Sequence, residues 1–333
     1  MNTMKKTDKI PAVSVIIPFY QTPKLKFRNC IECFLHQTFR DFELLLVDDG
    51  NSPDYRELCM EYVTKDARVR LLTQKKSGVA AARNYGLKSA RGSLVVFSDS
   101  DDYVDISFLE VMCQSLGDYD LVICGVCEQW HPSYNGSADL RVFCSTPSQH
   151  NWLQYVNFSV NKIYRKSILD NFRIRFDTDV RLGEDALFLY RYLSHCKTIR
   201  CIADMLYHYV PNPESAVKTY YPQYWNWEKR VIACQNKLFH KYPLNPSEEF
   251  FMRRWLFTKV KGAMYYYLSM ETDAKKRDAF VREIMDSRYF RGMYGQWRSN
   301  PCYSKQEKVL LALWKLFGVR GVRLGYLYAC FRK

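Results

Sequence analysis

The chain has 333 residues, 47% hydrophobic and 25% charged, which excludes a disordered or collagen-like polymer and allows one large domain with or without an appendage. Its formal charge of +14 favours polyanionic partners, whether nucleic acid, anionic lipid or phosphorylated ligands, and only site chemistry separates these. No apolar run approaches the ~20 residues that span a bilayer, and the start, MNTMKKTDKIPAVSVIIPF, has no long apolar leader core.

Residues 1–11 read as a flexible start. Val13 to Phe19, VSVIIPF, is apolar and β-branched and predicts a buried strand. Leu25, Ile31, Phe34 and Leu35 follow at helical spacing. Phe42 to Gly50, FELLLVDDG, predicts a second strand that ends in acids and a glycine. Ser52 and Pro53 then stand at the cap and first position of a helix. VRLLTQ is a short third strand, Gly78 to Ala90 an alanine-rich helix, and SLVVFSD a fourth strand. Strand and helix thus alternate over about the first hundred residues, the pattern of a parallel α/β sheet.

In such sheets ligands bind beyond the carboxyl ends of the strands. Two acidic clusters, Asp48-Asp49 and Asp99-Ser100-Asp101-Asp102, fall at those ends. Carboxylates this close repel unless a cation or hydrogen-bond donors offset them. A D-x-D of Asp99 and Asp101 suits a hard divalent cation, which takes oxygen ligands and shares them with substrate phosphates. The segment from Cys127 to Gln149 is rich in Ser, Pro, Asn and Gly and predicts loops or a hairpin beside the site. Further on, Glu184 and Asp185 open an amphipathic helix, where acids also favour the helix dipole by ~0.3–1 kcal/mol. From about Tyr220 the chain turns helical, aromatic and basic.

The twelve cysteines include one C-I-E-C, Cys30 to Cys33, with no second pair or flanking histidine to complete a zinc site. They read as packed thiols in a reducing, cytoplasmic protein.

The runs VSVIIPFYQTPKL, FELLLVDDGNSPD, KSGVAAARNYGLKSARGSLVVFSDSDDYVD and RLGEDALF, in this order, resemble the family 2 glycosyltransferases of the GT-A fold. The resemblance covers roughly residues 12 to 210. It implies a Rossmann-like, mostly parallel sheet flanked by helices over residues 12–212, with residues 213–333 as a helical C-terminal region. It further implies an inverting, hexosyltransferase-type enzyme of bacterial surface-polysaccharide synthesis. The donor would be a nucleotide-diphospho-sugar, commonly a UDP-sugar, and the acceptor a hydroxyl of a glycan or lipid-linked oligosaccharide. The cofactor implied is Mn²⁺ or Mg²⁺.

Carried over by position, Pro18 and Tyr20 match the nucleotide pocket, and Asp48 and Asp49 match the acids that hold the base. Lys75, Gly78, Arg83 and Asn84 match the segment beside the nucleotide. Asp99 matches the acid near the ribose and metal, Asp101 the metal ligand, and Asp102 a supporting group. Asp185 matches the general base, with Glu184 beside the substrate. His208, in LYHYV, either returns to the metal or packs as a hydrogen-bonded neighbour of aromatics.

Asn51-Ser52-Pro53 and Gln21 depart from the usual family residues, yet remove no charge from the mechanism. The Gln-x-x-Arg-Trp motif of processive members is missing, which favours single addition. Residues from Lys305 onward hold one acid, Glu307, and basic residues among Leu, Trp, Phe and Tyr. That composition fits either an interfacial helix on anionic lipid, on the inner face of the plasma membrane, or a docked helix with a wet basic face. A non-catalytic nucleotide-sugar-binding or scaffold protein is the rival reading. No nucleic-acid-binding module is recognisable.

Overall fold

The structure is a computed structural model that describes residues 9–127, 136–140, 157–211 and 219–331. Residues 1–8 of the expected flexible start lie outside the described residues, as does most of the expected hairpin segment between Cys127 and Gln149. The chain packs as two compact units: residues 1–143 with 150–213, and residues 144–149 with 214–333.

The first unit is built on one nine-stranded sheet. Strands β1 (Val13–Phe19), β2 (Phe42–Asp48), β3 (Val69–Thr73) and β4 (Leu94–Phe97) alternate with helices α1 (Lys24–Leu35), α2 (Pro53–Lys65) and α3 (Val79–Ser89). They pair in parallel in the order β3-β2-β1-β4, with Val13 opposite Phe42 on one side and Leu94 on the other. Every residue of β1 and β2 is buried, as continuous apolar runs in a sheet covered on both faces require. Phe27, Cys30, Ile31 and Phe34 of α1 join Val13, Val15, Ile17 and Phe19 in the core beneath it.

Beyond β4 the sheet is mixed, with antiparallel pairs beside the parallel β6–β9 pair. β5 (Tyr103–Val104), α4 (Phe108–Leu116), β6 (Leu121–Val126), β7 (Gly136–Asp139), β8 (Lys162–Arg165), α5 (Lys166–Asn171), α6 (Glu184–Leu193) and β9 (Thr198–His208) complete the unit. β8 inserts antiparallel between β4 and β6, β9 runs parallel to β6, and β5 and β7 pair antiparallel with β9. The register Phe19↔Asp48↔Thr73 brings the carboxyl ends of β1, β2 and β3 to one sheet edge. Ile16↔Phe97 places the end of β4 on that edge too.

The second unit is helical: α7 (Tyr224–Phe239), α8 (Pro246–Met270), α9 (Ala274–Asp286), α10 (Arg288–Met293) and α11 (Lys305–Phe331). Its ends are written in the sequence. Asn245 caps α8 by accepting from Glu248 N at 3.0 Å, ahead of Pro246 in the first turn. Ser304 and Glu307 form a reciprocal capping box at the start of α11. Phe257, Met264, Trp314 and Tyr267 sit in a separate core around α8. No helix among the described residues is long and apolar enough to cross a membrane.

Candidate functional site

At the carboxyl edge of β1 to β3, acids hold loops. Asp48 Oδ1 accepts from Asn51 N at 2.8 Å and Asn51 Nδ2 at 2.7 Å. Asn51 in turn donates to Phe19 O and accepts from Gln21 N, so it stitches the β1 exit to the β2 exit. Asn51 and Gln21 are both among the departures from the family pattern, and the structure makes them partners. Asp49 Oδ1 accepts from Gln74 Nε2 and Ser77 N, and Oδ2 from Gly78 N, all at 2.7–2.8 Å. Those bonds fix the turn into α3, where Gly78 has φ +96°, a conformation that a side chain resists. Pro18 is buried within β1. Tyr20 just beyond it carries the Lys76 ammonium 3.4 Å from its ring centroid, while neighbouring Lys75 stays exposed.

The β4 exit holds the second acidic cluster. Asp102 is buried at 1% exposure and accepts from Tyr207 OH at 2.7 Å and Val210 N at 2.8 Å. Tyr207 OH also accepts from Asp99 N at 3.2 Å, so β9 anchors the whole turn. Burial, then the charges on Asp99 and Asp101, push Asp102 up to about 8. Thr22 and Ser100 hydroxyls share a bond at 2.6 Å, and Cys30 Sγ points at Asp99 O at 3.4 Å. Burial raises the Cys30 and Cys33 thiols well above their ordinary value, in keeping with packed, unreactive cysteines.

His208 Nε2 donates to Asp105 Oδ1, 2.7 Å away, and the ring stacks on Tyr103 at 4.4 Å. Among the described residues no three His, Cys, Asp or Glu side chains gather as a ready metal site. The chemistry of the turn nonetheless fits a hard divalent cation. Asp99 and Asp101 offer oxygen donors, and their charges add to the burial that raises the proton affinity of Asp102. Asp99 and Asp101 are the residues that could hold such an ion.

Arg83, on α3, lies at the centre of the site with 4% of its side chain exposed. Nη2 donates to Asp99 Oδ1 at 2.8 Å; Nη1 donates to Asp185 Oδ1 at 2.8 Å and Glu184 Oε1 at 3.4 Å. Its guanidinium also rests over the Phe176 ring, 5.3 Å from the centroid. One buried cation therefore joins the β4 exit to the first turn of α6. Asn84, one residue on, exchanges bonds with Phe176 N and O at 2.8 and 2.9 Å. Both residues were expected beside the nucleotide. In this fold both Arg83 Nη atoms and the Asn84 amide are engaged by protein groups, while the buried Arg83 Nε has no hydrogen-bond partner.

Asp185 has a second support. Its Oδ2 accepts from Ser159 N at 3.2 Å, in the loop that enters β8. That loop is held by Lys162, fully buried, whose Nζ donates to Phe158 O at 2.8 Å, Asn161 Oδ1 at 2.7 Å and Val160 O at 3.3 Å. Asn161 extends the link by donating to Cys124 O on β6. Tyr164 OH donates to Ser159 O. Burial pushes Glu184 up to about 7, aided by the charge on Asp185, and raises Asp185 above the usual carboxylate range against the pull of Arg83. A carboxylate with raised proton affinity is suited to take a proton.

Burial also pushes the Lys162 ammonium down from 10.5 to about 7. Between these values the unfolded chain binds a proton that the folded chain lacks. Stability from this group therefore rises with pH above 7 and is lost as pH falls towards 7. In urea melts, wild type should gain stability relative to Lys162→Met between about pH 7 and about pH 9. A gap that does not change with pH would mean the buried ammonium keeps its ordinary proton affinity.

Sequence reasoning thus found the acids but missed their holders Ser159, Lys162 and Tyr207. Only main-chain geometry reveals most of them. Lys162 alone left a trace, as a charge inside an otherwise strand-like NKIYR.

Residues 14–172 match the model of glycosyl transferase family 2. The uncharacterized glycosyltransferase EpsJ of Bacillus subtilis is 28% identical over 230 residues, which cover 64% of this chain and 64% of EpsJ. The minor teichoic acid biosynthesis protein GgaB of Bacillus subtilis is 31% identical over 209 residues, 59% of this chain and 22% of GgaB. Among solved structures, S. aureus TarS 1–349 in complex with UDP-GlcNAc superposes with a TM-score of 0.73 at 17% identity, over 96% of this chain and 92% of that one. Fold, motif order and matched segment agree: over residues 14–172 the chain is similar to glycosyl transferase family 2.

Proposed function

We propose that the chain is an inverting glycosyltransferase that moves a hexose from a nucleotide-diphospho-sugar, a UDP-sugar, to a hydroxyl of a glycan or lipid-linked acceptor in surface polysaccharide synthesis. The observation that carries this reading is the convergence of Asp99 and Asp185 on Arg83. Acids from a strand exit and from a helix start, 86 positions apart in the sequence, meet in one place. The family match supports the reaction type, and TarS, solved with UDP-GlcNAc on a like fold, supports the donor class.

The acceptor hydroxyl oxygen attacks the anomeric carbon from the face opposite the diphosphate. The bond from that carbon to the diphosphate oxygen breaks, and the nucleoside diphosphate leaves with the electron pair. Asp185 takes the hydroxyl proton, since an un-ionised hydroxyl is a weak nucleophile. Arg83 keeps Asp185 oriented and anionic, and Ser159 N holds its other oxygen. Asp99 and Asp101 would hold a divalent cation, which when bound neutralises charge on the diphosphate. The loop fixed by Asp49 and the ring of Tyr20 flank the nucleotide.

The test is a thermal-shift panel of UDP, GDP and CMP and their sugar conjugates, with and without Mn²⁺. A ligand at about 100 times its Kd stabilises by about 2.7 kcal/mol, well within detection. A Mn²⁺-dependent shift with the UDP series, weakened by Asp101→Ala, is the expected result. No shift with any nucleotide would favour a scaffold without donor binding.

A further inference from the structure

The C-terminal helix leaves an unusual amount of apolar surface in water. Of the fifteen large apolar side chains exposed among the described residues, seven lie between residues 309 and 331. They include Val309, Leu316, Phe317, Leu324, Leu327 and Phe331, with Leu316 74% and Phe317 55% exposed. A free helix face of this kind requires a cover.

The helix is in fact two helices. Gly318, at φ +55° and ψ −133°, turns the chain within α11. A side chain at Gly321 would run into the Leu313 main chain, and one at Gly325 would meet Leu310 Cδ2 at 2.7 Å. The spacing of Gly318, Gly321 and Gly325 therefore lets the second half fold back closely on the first. Leu310 and Leu313 of the first half and Leu324 and Tyr328 of the second line one apolar groove of about 710 Å³, with Lys261 and Lys305 at its wall.

Along the first half, Val309, Leu313, Leu316 and Phe317 share one stripe at helical spacing, while Lys308 and Lys315, seven residues apart, share the next. In the second half Arg320, Leu324, Leu327 and Phe331 share a stripe at spacings of four, three and four. The acids of this region are engaged: Glu307 by Arg254 and Ser304, and Asp278 by Arg323. What remains exposed beside the apolar side chains is positive: Lys305, Lys315 and Arg320. A protein partner would accept either sign of charge at its rim. An apolar face with cations alone beside it complements the phosphates and acyl region of an anionic bilayer.

We infer that the folded-back α11 docks the chain on anionic phospholipid membrane. Leu316, Phe317, Leu324 and Leu327 enter the acyl boundary, the groove receives an acyl chain, and Lys315 and Arg320 meet headgroup phosphates. This goes beyond the proposed transfer reaction and is measured without any nucleotide-sugar, so either can fail alone.

The experiment is co-sedimentation of the full chain with phosphatidylcholine vesicles made with and without phosphatidylglycerol, at low and high salt. Binding should be at least about tenfold stronger with phosphatidylglycerol and weaken as salt rises. Leu316→Ser with Phe317→Ser should lower it by about tenfold or more, as should Leu324→Ser with Leu327→Ser in the other half. All four positions are about half exposed or more, so circular dichroism melts should match wild type. Equal binding to both vesicle types, or binding that survives both double substitutions, overturns the inference. So does a dimer in solution that both double substitutions abolish while vesicle binding is absent, which would assign the face to a second copy.

Discussion

Asp185→Asn is expected to lower the rate of sugar transfer by roughly a hundred- to ten-thousand-fold, the range that a positioned general base supplies. Asparagine keeps the size of the side chain and an oxygen that can accept from Arg83 or Ser159 N, so the fold around α6 should persist. What it loses is the capacity to take a proton. The loss should therefore fall on kcat, with donor affinity near wild type. A pH profile adds a second reading. The wild-type rate should fall as pH drops through the raised pKa of Asp185, whereas the residual rate of the variant should not follow that group. Glu184→Gln is the control, since it removes a neighbouring carboxylate but not the proton acceptor. Transfer by Asp185→Asn at close to the wild-type rate would remove Asp185 from the chemistry.

How far the site could be read before the fold follows from what each residue needs. The β1 to β4 half was legible because VSVIIPF and FELLLVD must be buried on both faces, and because helices separate them at the lengths a parallel crossover demands. The acids at the strand ends were legible for the same reason: a strand this apolar has no other use for them. β8 was not, since KIYR is four residues long and its antiparallel place between β4 and β6 depends on partners some 40 to 70 positions away. Arg83 and Asn84 stood out by family position, yet their partners are decided by how α3 meets α6 and the Phe176 segment. The bonds that hold Asp49 come mostly from main-chain N–H groups, which no residue type announces. In the tail, the face left exposed could be resolved only once the turn at Gly318 was seen.

Arg83→Met should cost about 3–5 kcal/mol of stability, the usual penalty when one partner of a buried ion pair is removed. Methionine fills much of the same volume, so the loss is electrostatic rather than a cavity. Without the guanidinium, Asp99, Glu184 and Asp185 lose the cation that pairs with all three. Asp99 is about a third exposed and water screens its share, so most of the cost rests on Glu184 and Asp185. The sign with pH then separates charge from packing. Glu184 and Asp185 already have folded proton affinities above their ordinary values of 4.5 and 3.8. Removing Arg83 raises them further, so over a wider range the folded chain binds protons that the unfolded chain does not. The stability of the variant should fall as pH rises from about 5 to about 8, and its deficit from wild type should widen over that interval. A packing defect would give a deficit that stays constant with pH. Arg83→Lys supplies the remaining distinction. It keeps the charge but cannot reach Asp99 and Asp185 with a planar fork, so it should recover part of the stability while transfer stays low. If urea melts of Arg83→Met coincide with wild type at about pH 8, the three carboxylates have another counter-charge, and Arg83 does not organise the site.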